Sequence, residues 1–140
     1  MTAKFENITH KFTNGVTVVN TTPHPLTFMS PEGEVVTVPT SVPAGEKTGF
    51  AVVNARAVTK EVAPHLVKTV FVPSPEGEAI IEAIRKEVGT MAENVMIVGS
   101  LAAANAFKEV VGMVPAPGFE RVPPAEKRMS CEQFNVGEAF

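Results

Sequence analysis

The stretch from Asn94 to Lys108, Asn-Val-Met-Ile-Val-Gly-Ser-Leu-Ala-Ala-Ala-Asn-Ala-Phe-Lys, constrains this chain more than any other. Its apolar, β-branched start, bounded by Gly99, reads as a buried strand. Ser100 before an alanine-rich run reads as the N-cap of a short helix. A strand that turns into a helix over two small residues is the start of a crossover unit. The amides of Gly99 and Ser100 and the Ser100 hydroxyl would then sit where a strand ends and a helix begins. Open α/β folds tend to bind ligands there, because unpaired N–H groups and the helix dipole favour an anion or a polar head.

The neighbouring segments extend the unit. Leu66–Val72 reads as a more deeply buried strand, and Ser74-Pro75-Glu76-Gly77-Glu78 supplies a cap, a proline at the first helical position and two first-turn acids. Ile80, Ile81, Ile84 and Val88 then recur at helical spacing, Gly89 closes the helix, and Val110–Val114 reads as a last strand. Strand, helix, strand, helix, strand predicts right-handed crossovers between parallel strands. The first half looks antiparallel. Val16–Asn20 is β-branched, Pro23 and Pro25 turn the chain out of the sheet, and Leu26–Met29 and Val35–Val38 form a hairpin about Ser30–Glu34. A long extended stretch over 49–62 alternates as if one face were solvated.

These elements predict an α/β protein, with α+β as the alternative. Residues 1–140 form a single domain, a mixed sheet with antiparallel N-terminal strands, a C-terminal βαβαβ half and two main helices. Residues 1–15 read as a loose N-terminal arm, or one short strand at Phe5–Ile8. Residues 115–140 read as an extended, proline-rich C-terminal arm anchored by Phe119, Val122 and Met129, with Phe134 and Phe140 as further anchors. Such an arm lies across the body or on a neighbouring subunit, which points to a homo-oligomer.

Composition narrows the partners. A formal net charge of −3 gives no positive field for nucleic acid, and Arg121, Lys127 and Arg128 are interrupted by acids. Cys131 is alone, so no internal disulfide forms. No apolar run has signal-peptide or bilayer-spanning length, so the reading is a soluble, cytoplasmic protein without a membrane partner. His10, His24 and His65 share no metal-ligand spacing, and neither a metal nor a cofactor is expected.

The candidate site joins two turns. His24 lies between two prolines that hold its loop in place, with Thr22 in the same turn, and Gly99 and Ser100 form the other. Arg121, on the C-terminal arm, would bring a planar fork suited to carboxylate or phosphate. Neither Gly-x-Gly-x-x-Gly nor a P-loop Lys-Ser/Thr occurs, and Gly99-Ser100-Leu101 departs from Gly-x-Ser-x-Gly. No paired-carboxylate site is visible, so no catalytic residue is assigned.

The run Asn20-Thr21-Thr22-Pro23-His24-Pro25 between two strands, with the later Ile97-Val98-Gly99-Ser100, resembles the opening and a later Ile-Val-x-Ser segment of small uncharacterised proteins often encoded by phages and prophages. The likeness covers about a dozen residues. It implies kinship of fold without an agreed activity and adds no catalytic residue. Some small phage proteins of similar size sequester nucleotide signals made by host defence, which is an analogy of context.

The leading expectation is therefore a non-enzymatic protein that binds a small anionic, nucleotide-like ligand through His24, Thr22, Gly99, Ser100 and Arg121. One alternative is a structural or interaction protein that oligomerises through its C-terminal arm. A second is a hydrolase using Ser100 and His24.

Overall fold

The computed structural model describes residues 4–140, and among these it contains two α-helices and nine strands. In chain order the elements are β1 (Thr9–Lys11), β2 (Thr17–Asn20), β3 (Leu26–Met29), β4 (Val35–Val38), β5 (Arg56–Ala63), β6 (Leu66–Val72), α1 (Pro75–Glu87), β7 (Val95–Val98), α2 (Leu101–Ala106), β8 (Val110–Pro115) and β9 (Met129–Val136). Seven strands form one mixed sheet in the order β1-β2-β7-β8-β9-β3-β4, while β5 and β6 pair only with each other. The protein is thus a mixed α/β single domain. Strands β2, β7 and β8 are mutually parallel, and the β1–β2 and β3–β4 pairs are antiparallel.

The three parallel strands are covered on both faces, which explains their unbroken apolar runs. Val19, Ile97 and Val110 face one core with Ile81 and Ile84 of α1 and the alanines of α2. Their neighbours Val18, Val98 and Val111 face a second core with Phe28, Val38 and Cys131. That second core draws side chains from β2, β3, β4, β7, β8 and β9, so the sheet curls around it into a nearly closed barrel. Asn20, wholly buried at the end of β2, helps to close it: Nδ2 donates to the carbonyls of Val38, the last residue of β4, and of Pro39 after it, at 3.2 and 3.1 Å.

Both helices start as their sequences dictate. Ser74 Oγ accepts from Gly77 N at 3.0 Å with Pro75 in the first turn, and Ser100 Oγ accepts from Ala103 N at 3.1 Å. Between them, Asn94 takes a left-handed conformation (φ 63°) to release the chain into β7.

Four expectations are corrected by this architecture. Residues 1–3 lie outside the described residues, but 4–15 are no loose arm. Phe5, Ile8 and Phe12 are buried, β1 joins the sheet edge, and Glu87 at the end of α1 accepts the backbone N–H groups of Lys4 and Phe5. Over 49–62 the chain becomes a strand only at Arg56; Ala51 and Val53 instead sit in the core from an irregular segment. Leu66–Val72 is a strand but not a buried one, since it belongs to the separate hairpin, and Leu66 and Val67 stand about 60% exposed. The order strand-helix-strand-helix-strand holds along the chain, yet only β7 and β8 of its three strands lie in the main sheet.

The C-terminal segment is the fourth. Past Pro115 it turns through Pro124–Glu126 and re-enters the body as β9, antiparallel to β8 and parallel to β3. It is therefore an interior strand of the same chain. Its register slips between the Met113–Phe134 and Pro115–Met129 pairs, and Ser130 Oγ holds the bulged stretch by accepting from the N–H groups of Glu132 and Gln133. Cys131 sits in that stretch with its thiol pushed up in pKa, first by burial and secondarily by nearby carboxylates, so it stays a neutral packing residue.

Candidate functional site

The proline turn after β2 and the turn from β7 into α2 meet, and the reason is local hydrogen bonding. Parallel pairing sets Asn20 beside Val98, so both strands end together. Thr21 then binds back to the carbonyl of Val98 through both its N–H, at 2.8 Å, and its hydroxyl, at 2.7 Å. Asn20 braces the proline turn itself. Its Oδ1 accepts from the Thr22 N–H at 2.9 Å and lies 2.7 Å from the Thr22 hydroxyl, while Nδ2 donates to the carbonyl of His24 at 2.9 Å. Thr40 Oγ donates to the carbonyl of Thr22 at 2.7 Å. Among the described residues no buried side-chain N or O atom of the turn lacks a partner, and His24 itself is exposed.

A cleft of about 480 Å³ opens between these turns and the strands beyond them. One wall is Thr22, Pro23, His24 and Leu26; another is Gly99, Ser100 and Leu101; Gly112, Met113 and Pro115 of β8 with Met129 and Asn135 of β9 complete it. Four of the five residues expected at a binding site, His24, Thr22, Gly99 and Ser100, line this one hollow. Its volume is ordinary for a small-molecule site, and it lies outside the carboxyl ends of the parallel strands.

The chemistry of the cleft differs from the expectation in three respects. Arg121 is exposed in the connection between β8 and β9 and lies off the cleft, and neither lysine nor arginine lines it. The Gly99 N–H is already spent on the carbonyl of Val111 at 3.0 Å, because β8 runs on past the end of β7. Ser100 Oγ serves as the helix cap, and α2 is only six residues long. The Arg121 guanidinium, the Gly99 N–H and the Ser100 hydroxyl are thus not free to cradle an anion in the cleft. The surface is instead mainly apolar, from Leu26, Leu101, Met113, Met129 and the two prolines, and His24, Ser100 and Asn135 add one polar side chain to each wall. Asn135 Nδ2 donates to the carbonyl of Met113 at 3.3 Å.

Gly99 is needed for packing. A Cβ there would lie 2.6 Å from Val110 Cγ1 and 3.3 Å from both Ala103 Cβ and Thr21 Oγ1. Gly99→Ala is expected to cost about 1–3 kcal/mol through overpacking between β8 and α2; chemical denaturation measures it, and an unchanged midpoint would show that the turn has slack.

Among the described residues no hydrogen bond joins Ser100 to His24, and Ser100 Oγ accepts from the Ala103 N–H instead. Among the described residues no group of three or more His, Cys, Asp or Glu is placed to hold a metal ion, and no helix is long and apolar enough to cross a membrane.

Sequence reasoning missed the cleft's methionines and Asn135. Met113 and Met129 read there as strand and anchor residues; only the pairing of β8 with β9 makes them neighbours. Comparison with protein-family models, curated proteins and solved structures finds no match for this chain.

Proposed function

We propose that this protein is a non-enzymatic small-molecule binder whose ligand has a largely apolar, ring-sized body and one polar or singly anionic edge. What carries the reading is the cleft of about 480 Å³ between the two turns, apolar over most of its wall with His24, Ser100 and Asn135 as polar points on it. A nucleobase or an aromatic acid suits it. A polyphosphate does not, because neither lysine nor arginine lines the cleft. The nucleotide-like expectation therefore narrows to the base end of such a molecule. The turn's bracing by Asn20 favours binding, since a pre-ordered wall loses little entropy when a ligand arrives.

Calorimetry with nucleosides, nucleoside mono- and triphosphates and aromatic carboxylates tests this. A nucleoside or aromatic acid should bind, the triphosphate should bind no tighter than the monophosphate, and Met113→Arg should weaken the best ligand by about tenfold or more, or 1.4 kcal/mol. A steep gain with each added phosphate would mean that cations elsewhere hold the ligand.

The interaction reading keeps a separate observation in its favour, the exposed β5–β6 hairpin.

A further inference from the structure

The turn between β1 and β2, Thr13-Asn14-Gly15, contains the one Asn-Gly pair in the sequence. Two backbone bonds close it, from the Phe12 N–H to the Val16 carbonyl at 2.8 Å and from the Gly15 N–H to the Phe12 carbonyl at 3.0 Å. Gly15 takes the left-handed conformation (φ 91°) that the turn requires. Asn14 is exposed, yet its side chain is held at both ends. Oδ1 accepts from the Val16 N–H at 3.0 Å, and Nδ2 donates at 3.0 Å to the carbonyl of Cys131, 117 residues further on.

The second bond reaches a weak point of β9. Ser130 is the last residue of β9 laddered to β3, and the ladder to β8 resumes only at Phe134, so among the described residues 131–133 have no ladder partner on either side. The Asn14 amide therefore supplies a donor that the sheet withholds from Cys131. The carboxylates of Glu132, Glu32 and Glu34 bear on the same residue, so a further negative charge is unfavourable where Nδ2 now sits.

Asn-Gly is also the pair in which an asparagine is most open to attack by its own backbone, because glycine sets no side chain in the way. The Gly15 nitrogen gives its proton to hydroxide and adds to Asn14 Cγ; the Cγ–Nδ2 bond breaks, ammonia leaves and a cyclic succinimide remains. Water then opens the ring to aspartate or isoaspartate. The sum is amide plus water giving carboxylic acid plus ammonia, with no change of oxidation state. In the closed turn the step is held back, since the Gly15 N–H is engaged by Phe12 and the bonds to Val16 and Cys131 fix the amide. Cyclisation requires these bonds to break, so it runs from a locally opened turn.

We propose that Asn14 is a modification site gated by the fold: each opening of the β1–β2 turn exposes it to deamidation, and the carboxylate product cannot donate to the Cys131 carbonyl again. The barrel is then left permanently loosened where the turn meets β9. The site lies at the start of β2, whereas the ligand cleft lies past its end, so the two stand independently.

Peptide mapping by mass spectrometry tests it, on the full chain held in mildly alkaline buffer with and without guanidinium chloride. In the denaturant the amide-to-acid mass shift should appear first at Asn14, and in the folded protein the same shift should be slower by about tenfold or more. Asn14→Asp, which carries the product's charge, should melt about 3 °C or more below the wild type, and Asn14→Ser less far below, with the gap between the two narrowing at high salt. The position is exposed in a turn, and circular dichroism confirms that both variants fold. Equal rates in the folded and denatured chain, a first shift at another asparagine, or an Asn14→Asp protein that melts with the wild type overturns the proposal.

Discussion

Truncation after Val114 is expected to abolish folding. The segment removed contains β9, which lies between β8 and β3 and is, among the described residues, the only strand whose ladder joins the parallel strands to the β3–β4 hairpin. Its loss takes buried Ser130 and Cys131 and half-buried Met129 and Phe134 out of the second core and exposes Phe28, Val38 and Val111 to water. Burial of each such side chain contributes roughly 1.5–3 kcal/mol, and several lost together match the whole stability of an ordinary domain of about 5–15 kcal/mol. The truncated chain should show no cooperative thermal transition and should bind a dye for exposed apolar surface. A truncated protein that kept its transition and merely changed its state of association would restore the view of the segment as an arm.

Asn20→Ala is the second large effect. One side chain makes five contacts: Nδ2 donates to the carbonyls of His24, Val38 and Pro39, and Oδ1 takes the Thr22 N–H and faces the Thr22 hydroxyl. Alanine leaves these groups in a site that excludes water. Each unpaired buried group costs about 1–3 kcal/mol, and partial relaxation of the exposed end of the turn lowers the total to roughly 3–5 kcal/mol. For a chain of this size that lowers Tm by about 10 °C or more. Asn20→Asp should be no milder, since a buried carboxylate would face three carbonyl oxygens without a donor of its own. Calorimetric melting checks both, and a fall in Tm below about 3 °C would mean that water or a shifted turn replaces the amide.

Most of the chain's local structure was legible in the residues. Ser74-Pro75 and Ser100 announce both helices because a hydroxyl cap and an N1 proline act within one turn, with no help from distant contacts. The apolar run Val95–Val98 announces a buried strand, and that strand lies between β2 and β8 in the sheet. The convergence of the two candidate turns followed from β2 and β7 being parallel neighbours that end together, although sequence alone does not give strand order. What was hidden depends on distant partners. β9 breaks the alternation expected of a strand because Ser130–Gln133 bulge, and its prolines precede it rather than interrupt it. β6 reads as buried because Val, Phe and Leu dominate it, whereas its only ladder partner is another exposed strand. The Gly99 amide read as free because nothing local shows that β8 continues past it to claim it. Asn20 read as part of a turn motif, and its main work is to bind backbone 18 and 19 residues further on.

The central claim is that the two turns enclose a ligand site, and backbone amide NMR during titration with the best ligand of the calorimetric panel tests it most directly. Saturable shift changes are expected, concentrated at Thr22, His24, Leu26, Ser100, Leu101, Met113, Met129 and Asn135, with the β5–β6 hairpin unmoved. Shifts that map instead to the α1–α2 groove, or that spread evenly over the surface without saturating, would contradict it.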